Sequence, residues 1–398
     1  MNLSALLAAR ADAVQESQIR KVFEGARDIV NPINLSIGQP DFPVPEAVKQ
    51  AAIRAIQQDL NGYSNNRGID PLLQRIAAHL KDDVGWDVST TPAGRPGQAG
   101  LMVTQGTSGA LICAAMALLD PGDEIIIPDP YFVLYPRLGE LTGARAVPCD
   151  TYPDFRLTAA RVERLITPRT KAVLLCTPSN PCGVVSSEAE CRDLLDLCRR
   201  RNVLLISDEI YDEFTYAESR TSKRPGSGRS VCPSPARFHG AQDDILLIRG
   251  FGKTSGCTGW RLGYVSGPSL LIDKMVKMQQ HLYICAPTPL QYGAVEIFNT
   301  DMSALIAKFQ RRRDMVHSKL STVTEVPYPG GAFYAFVQVP PRLKLTASEF
   351  FTQRARAKRV LIVPGYAFSA RDTHYRVSYA VKDEVLAEGL DILVELMR

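Results

Sequence analysis

The sequence predicts an α/β protein, a large unit around a mostly parallel sheet joined to a smaller α+β unit. Three observations carry this. Between residues 101 and 266, short β-rich runs alternate with helical patterns, the order that gives parallel strands with helical crossovers. Two of the runs, AVLLC and VLLIS, are apolar throughout, which suits strands buried on both faces of a sheet. After residue 268 the alternation gives way to long helical patterns and then short strands.

In chain order, residues 4–27 read as a helix with no sheet of its own nearby. Strands are expected over 101–104, 124–128, 145–148, 171–176, 203–207, 244–249 and 262–266, with helices between most of them, such as 108–119 and 187–201. Helical patterns then cover 268–283, 290–299 and 303–320. Strands follow at 333–339, 360–363 and 375–379, and a helix over 384–397 closes the chain. Residues 90–100 and 219–241 are rich in Ser, Pro, Gly and Arg without apolar periodicity. They read as mobile surface loops. The large unit is placed at 46–290 and the small one at 1–45 plus 291–398.

Composition excludes several classes. A chain of 398 residues has room for two or three domains at ~150 residues each. Hydrophobic residues at 45% and charged residues at 22% are ordinary for a globular protein. Lys and Arg number 46 against 42 Asp and Glu. That excess is too small to point to nucleic acid, and the runs Arg199–Arg201 and Arg311–Arg313 read as solvated helix ends or faces. The longest uncharged stretch, 96–119, holds four glycines and several polar residues, so no membrane span is expected. The N-terminus lacks a basic leader pattern. Nine scattered cysteines without a CxxC pair suggest reduced thiols in the cytoplasm. Five histidines without ligand spacing give no reason to expect a metal.

Two motif hits fail. Gly252-Lys253-Thr254 follows a strand, but a phosphate-binding P-loop needs Gly where Leu247 stands. Gly106-Thr107-Ser108-Gly109 has its serine one place from the second glycine, so it is not a nucleophile elbow. What remains is a set of polar residues just after strands: Asn180 in TPSNPCG, Asp208 and Tyr211 in SDEIYDEF, and Lys253 in GFGKTSGCTGWRLG. Ligands of open α/β sheets bind at the carboxyl ends of strands. Any one of these residues alone would pass as a cap or turn. An amide, a carboxylate, a phenol and an amine together make a site.

These motifs, with NLSIGQPDF (34–42), YSNNRGIDPLLQRIA (63–77), TQGTSGAL (104–111), PDPYFVLY (128–135), PGGAFYAF (329–336), PGYAFS (364–369) and YRVSYA (375–380), occur in the order found in one family. The chain resembles the class I/II aminotransferases dependent on pyridoxal phosphate, fold type I, over nearly its whole length. The resemblance implies transfer of an amino group from an L-amino acid to a 2-oxo acid, 2-oxoglutarate among them, by a ping-pong mechanism. A C–S β-lyase on the same scaffold is the alternative.

The resemblance also implies roles. Lys253 would carry the cofactor as a Schiff base and act as general acid and base, since a desolvated amine loses its proton readily. Asp208 would hold the pyridine nitrogen protonated, which keeps the ring an electron sink. Asn180 and Tyr211 would bond the cofactor's ring oxygen, and Phe132 would stack on the ring. Gly106, Thr107 and Ser108 at a helix start would cradle the phosphate, with Arg261 as a bidentate cation. Tyr63 would reach the phosphate of a partner subunit, implying a homodimer with shared sites. Arg376 would grip the substrate's α-carboxylate, with Gly38 and Asn180 beside it. Two departures stand out. Gly250 and Gly252 occupy places where the family commonly has Ser. Ser108 stands where some aspartate-using relatives carry Lys, which tilts the expected donors towards neutral and aromatic side chains.

Overall fold

The computed structural model describes residues 1–24, 28–92 and 97–398. At its centre is an eight-stranded sheet. The strands are β1 (Val88–Ser89), β2 (Ala99–Thr104), β3 (Glu124–Asp129), β4 (Arg145–Asp150), β5 (Thr170–Cys176), β6 (Leu204–Asp208), β7 (Ile245–Gly250) and β8 (Gly263–Pro268). Their spatial order is β1-β2-β8-β7-β6-β5-β3-β4. All neighbours are parallel except β8, which runs against both β2 and β7. Only a short link joins β7 to β8, with no helical crossover of the length a parallel return needs.

The principal helices are α1 (Glu46–Gln57), α2 (Asp70–Val84), α3 (Gly106–Leu118), α4 (Glu188–Arg201), α5 (Ser269–Leu282), α6 (Thr288–Val295), α7 (Ser303–Leu320) and α8 (Asp383–Met397). Helix α4 starts where the sequence puts a capping box, Ser187 and Glu190 bonding reciprocally across its first turn. Helix α2 ends at Gly85, whose φ of 76° suits a residue without Cβ. Two apolar layers sandwich the sheet. Leu72, Ile76, Leu194 and Cys198 of α2 and α4 cover one face, and Leu111, Cys113, Ile272 and Met275 of α3 and α5 cover the other. Strands β2 and β7 are accordingly buried almost throughout, whereas edge strand β4 alternates.

A second, antiparallel sheet contains β9 (Tyr334–Gln338), β10 (Val363–Pro364) and β11 (His374–Ser378) in the order β9-β11-β10. It packs with α7 and α8 around Phe309, Val316, Leu386 and Leu390. The expected strand 360–363 is split. Val360–Leu361 pairs in parallel with Ile33–Asn34, and only Val363–Pro364 joins β11. Pro364 lacks an N–H, which restricts that segment to a sheet edge.

Three other expectations need correction. The N-terminal helix is broken into Leu3–Leu6, Ala9–Ala13 and Gln18–Glu24, with residues 25–27 outside the described set. Leu3, Leu6 and Leu7 are exposed, and short helices without a face to bury are marginal. Arg312 and Arg313 are buried, not solvated. Arg312 forks onto Asp41 at 2.9 and 2.8 Å and also meets Asp383, while Arg313 reaches Glu218 and the Pro329 carbonyl. Finally, residues 219–241 are folded rather than a loose loop. They contain a two-stranded ladder, Ser222–Lys223 with Ser230–Val231, and they bring Arg224 and Arg237 onto Asp83 of α2. Arg249 of β7 joins the same carboxylate at 2.7 Å and also meets Glu209. Burial opposes ionisation of Asp83, but Arg249 and Arg237 overcome it and hold the carboxyl well below the usual range. Of the other expected loop, 90–100, residues 93–96 lie outside the described set. Among the described residues no helix is long and apolar enough to cross a membrane.

Candidate active site

Four strands of the central sheet end at one place. Beyond β2 comes Gly106, beyond β5 Asn180, at the end of β6 Asp208, and beyond β7 Lys253. Cys176, Asp208 and Ile248 are register partners across three adjacent parallel strands. Here the sheet opens into a cavity of about 370 Å³. Its lining contains Gly38, Gly106, Thr107, Ser108, Phe132, Asn180, Asp208, Tyr211, Lys253, Arg261 and Arg376. Tyr63 alone of the expected residues is elsewhere, 83% exposed on the outer surface.

The charged groups in this cavity are poorly neutralised by the chain itself. The Lys253 amine donates to the Gly38 carbonyl at 2.5 Å. Burial, reinforced by the cations Arg376 and Arg261, brings its pKa down to about 8. Asp208 is buried, and its carboxylate accepts from the Tyr135 hydroxyl at 3.0 Å and the Ile210 N–H at 3.3 Å. Burial outweighs those bonds and pushes its pKa up to about 6. Among the described residues no cation pairs with Asp208, and no carboxylate pairs with Arg261 or Arg376. Arg376 is held by Asn180 Oδ1 at 3.0 Å and the Ser36 carbonyl at 2.8 Å, while its buried Nε has no partner. The faces of Tyr334 and Phe368 lie 4.4 and 4.9 Å from its guanidinium carbon.

Glycines are required in two places. Gly106 opens α3 with a φ of 68°, and a Cβ there would stand 2.9 Å from Arg261 Nη2. A Cβ on Gly38 would stand 2.9 Å from the Tyr334 hydroxyl. Gly250 also has a physical reason. The space a side chain would take is filled by Ile210 Cδ1 at 2.5 Å and Thr107 Cγ2 at 3.0 Å. Two further side chains belong to the site. Tyr135 bonds Asp208, and Tyr334 bonds Tyr211 through a hydroxyl pair at 3.0 Å. Both lie inside motifs quoted for the resemblance, PDPYFVLY and PGGAFYAF, but nothing in their spacing says where the hydroxyls point.

The donor set fits pyridoxal phosphate. An uncompensated buried carboxylate is costly unless a cation or donors meet it, and a protonated pyridine nitrogen is such a partner for Asp208. An amine with a lowered pKa suits a carbonyl-bearing cofactor. The start of α3 beside unpaired Arg261 combines backbone donors and a planar cation, which suits a phosphate.

Comparison with known proteins agrees. The family model "Aminotransferase class I and II" matches residues 30–393. The aromatic-amino-acid aminotransferase 2 of Thermococcus litoralis is 31% identical over 404 residues, covering 98% of each chain. The aspartate aminotransferase of Pyrococcus abyssi is 32% identical, covering 98% of this chain and 97% of its own. The solved aspartate aminotransferase of Thermotoga maritima superposes with a TM-score of 0.88 at 32% identity, covering 98% of this chain and 99% of its own. With a matching family model over most of its length and this fold and cavity, the chain belongs to the class I and II aminotransferases, fold-type-I enzymes that use pyridoxal phosphate.

Proposed function

We propose that this aminotransferase moves the amino group of an L-amino acid to a 2-oxo acid, 2-oxoglutarate included, in ping-pong fashion, at sites shared within a cytoplasmic homodimer. The observation that carries the reading is the company Lys253 keeps. One cavity holds a lysine amine with a pKa near 8, a buried carboxylate without a cation and a buried arginine without an anion. The nine cysteines are free, eight of them buried, which supports a reducing compartment. The core cluster around Phe309 and Leu390, distinct from the two layers on the central sheet although Tyr211, Phe214 and Tyr216 reach into it, supports dividing the chain at 46–290.

When bound, pyridoxal phosphate supplies an electron sink for the bond to the substrate's Cα hydrogen. The chain's residues do the rest. Arg376 receives the α-carboxylate through its fork, and Gly38 leaves the space beside it open. Lys253, neutral in part near pH 7 and mostly so above 8, would take the proton from the substrate's Cα and deliver it to the cofactor's C4′ carbon. Asp208 keeps the pyridine nitrogen protonated. Asn180 and Tyr211 would hold the cofactor's ring oxygen, Phe132 would lie against its ring, and Gly106, Thr107, Ser108 and Arg261 would hold its phosphate. Tyr63 completes the partner's site.

The cavity's three cations, Lys253, Arg261 and Arg376, all have such a task, and Ile19, Ile37 and Ile210 line it as well. This supports neutral and aromatic donors over strict aspartate use. The test is a panel of donors, aspartate, alanine, methionine and phenylalanine, with 2-oxoglutarate or pyruvate as acceptor. Transfer to either acceptor is expected. A hundredfold preference for aspartate, about 2.7 kcal/mol in transition-state binding, would overturn the substrate reading. Release of pyruvate and ammonia from cystathionine or a cysteine conjugate, without any acceptor, would reveal the C–S β-lyase instead.

A further inference from the structure

Tyr334, the first residue of β9, is buried and touches both halves of the site. Its hydroxyl lies 3.0 Å from the Tyr211 hydroxyl, with the two rings edge to face at 5.7 Å. Its ring face carries the Arg376 guanidinium at 4.4 Å. Its hydroxyl also sits where a Cβ on Gly38 would come within 2.9 Å. A phenol has one proton to donate. For Tyr211 to point its proton at the cofactor's ring oxygen, the bond between the two tyrosines must run the other way, from Tyr334 to Tyr211. The cation over the Tyr334 ring favours that direction, because a nearby positive charge makes a phenol a stronger donor.

We propose that Tyr334 is a positioning residue that couples substrate-carboxylate binding at Arg376 to the polarity of the cofactor's ring oxygen at Tyr211. The inference rests on the roles given above to Tyr211 and Arg376. A carboxylate on Arg376 neutralises the charge over the Tyr334 ring, weakens Tyr334 as a donor and so loosens the proton chain that ends at Tyr211. Ring and hydroxyl then have separable duties. The ring supports the guanidinium, and the hydroxyl sets the direction of the Tyr211 proton.

The experiment uses the cofactor-loaded protein without turnover. Visible absorbance of the bound cofactor is titrated against pH, with and without propionate, a carboxylate that lacks an amine. Donors to the ring oxygen stabilise its anionic form and hold the pH midpoint down. Tyr334→Phe should therefore raise the midpoint by half a unit or more, leave propionate affinity within twofold, and reduce the propionate-induced midpoint shift by at least half. Tyr334→Leu should raise the midpoint similarly and weaken propionate at least tenfold. Thermal melts of both variants check the fold. If Tyr334→Phe leaves midpoint and propionate shift as in the parent while Tyr211→Phe moves the midpoint, the coupling is overturned and the Tyr211 role stands. An unmoved midpoint in Tyr211→Phe overturns both. If Phe and Leu change midpoint and affinity equally, in step with lost thermal stability, the role is structural packing and the proposal is overturned.

Discussion

At the scale of single residues, the site's behaviour is set by burial acting on two groups of opposite charge. Lys253 is expected to load the cofactor faster as pH rises through about 8, the value to which burial, Arg376 and Arg261 bring it. Removing one of those cations by Arg261→Gln should move that midpoint upward. Borohydride trapping followed by peptide mapping checks the assignment, and a different trapped lysine would contradict it. Asp208 gives a prediction for the cofactor-free protein. Its folded pKa of about 6 lies above the ordinary 3.8, so the fold binds this proton more tightly than the unfolded chain does. The favourable contribution is present below pH 4 and is lost as pH rises from about 4 to about 6. Cofactor-free Asp208→Asn should thus be more stable than the parent at pH 7, on the order of 3 kcal/mol, with the gap closing towards pH 4. Loaded with cofactor, the same variant should lose most of its kcat. Denaturant melts across pH and steady-state rates separate the two effects. Most of this site was legible in the chain, because strand-end polar residues and ordered motifs are local signals. Tyr135 and Tyr334 were not, since a tyrosine beside apolar neighbours looks like core until the fold shows what its hydroxyl meets.

At the scale of elements, the strands were the most legible. A two-sided buried strand needs an apolar run, and runs such as AVLLC can do little else. Elements whose form depends on distant partners were misread. The run Arg311–Arg313 looks like a solvated face, but Asp41, Asp383 and Glu218 arrive from far along the chain to meet Arg312 and Arg313. Residues 219–241 look loose until Arg224 and Arg237 are seen on Asp83. The N-terminal helix failed for a different reason: Leu3, Leu6 and Leu7 find no surface to receive them, while Ile19 and Val22 in its last piece pack onto the body. The Asp83 cluster joins α2, the 219–241 segment and β7, and its removal should be felt in all three. Asp83→Asn leaves Arg249, Arg237 and Arg224 short of a buried counter-charge. The expected loss is about 3–5 kcal/mol, read as a lower denaturation midpoint and faster proteolysis within 219–241. An unchanged midpoint would show that Glu209 and Asp212 beside Arg249, and Glu213 beside Arg224, suffice alone.

At the scale of the whole molecule, Tyr63 carries the prediction. It stands 83% exposed and outside the cavity that every other expected site residue lines. If it serves a partner's phosphate, two inactive variants should rescue each other. A Tyr63→Ala chain with an intact Lys253, mixed with a Lys253→Ala chain with an intact Tyr63, should give heterodimers with one complete site. Activity should recover towards a quarter of the parent's after random exchange, the share expected when half the dimers are mixed and each has one good site of two. No recovery after exchange verified by mass spectrometry would assign each site to one chain.

The cavity gathers residues from Ile19 to Arg376, with the strand ends of the central sheet supplying the middle of the chain and the N- and C-terminal segments the rest. No contiguous stretch shorter than this carries all of them. A fragment that ends between residues 253 and 376 keeps Lys253 and Asp208 yet lacks Arg376, the proposed substrate clamp. One starting after residue 38 lacks the floor on which the lysine amine rests. The activity is therefore not a portable module that could be excised, grafted or inherited piecemeal. It belongs to the whole stretch from residue 19 to residue 376, and a fragment without either end lacks part of the apparatus.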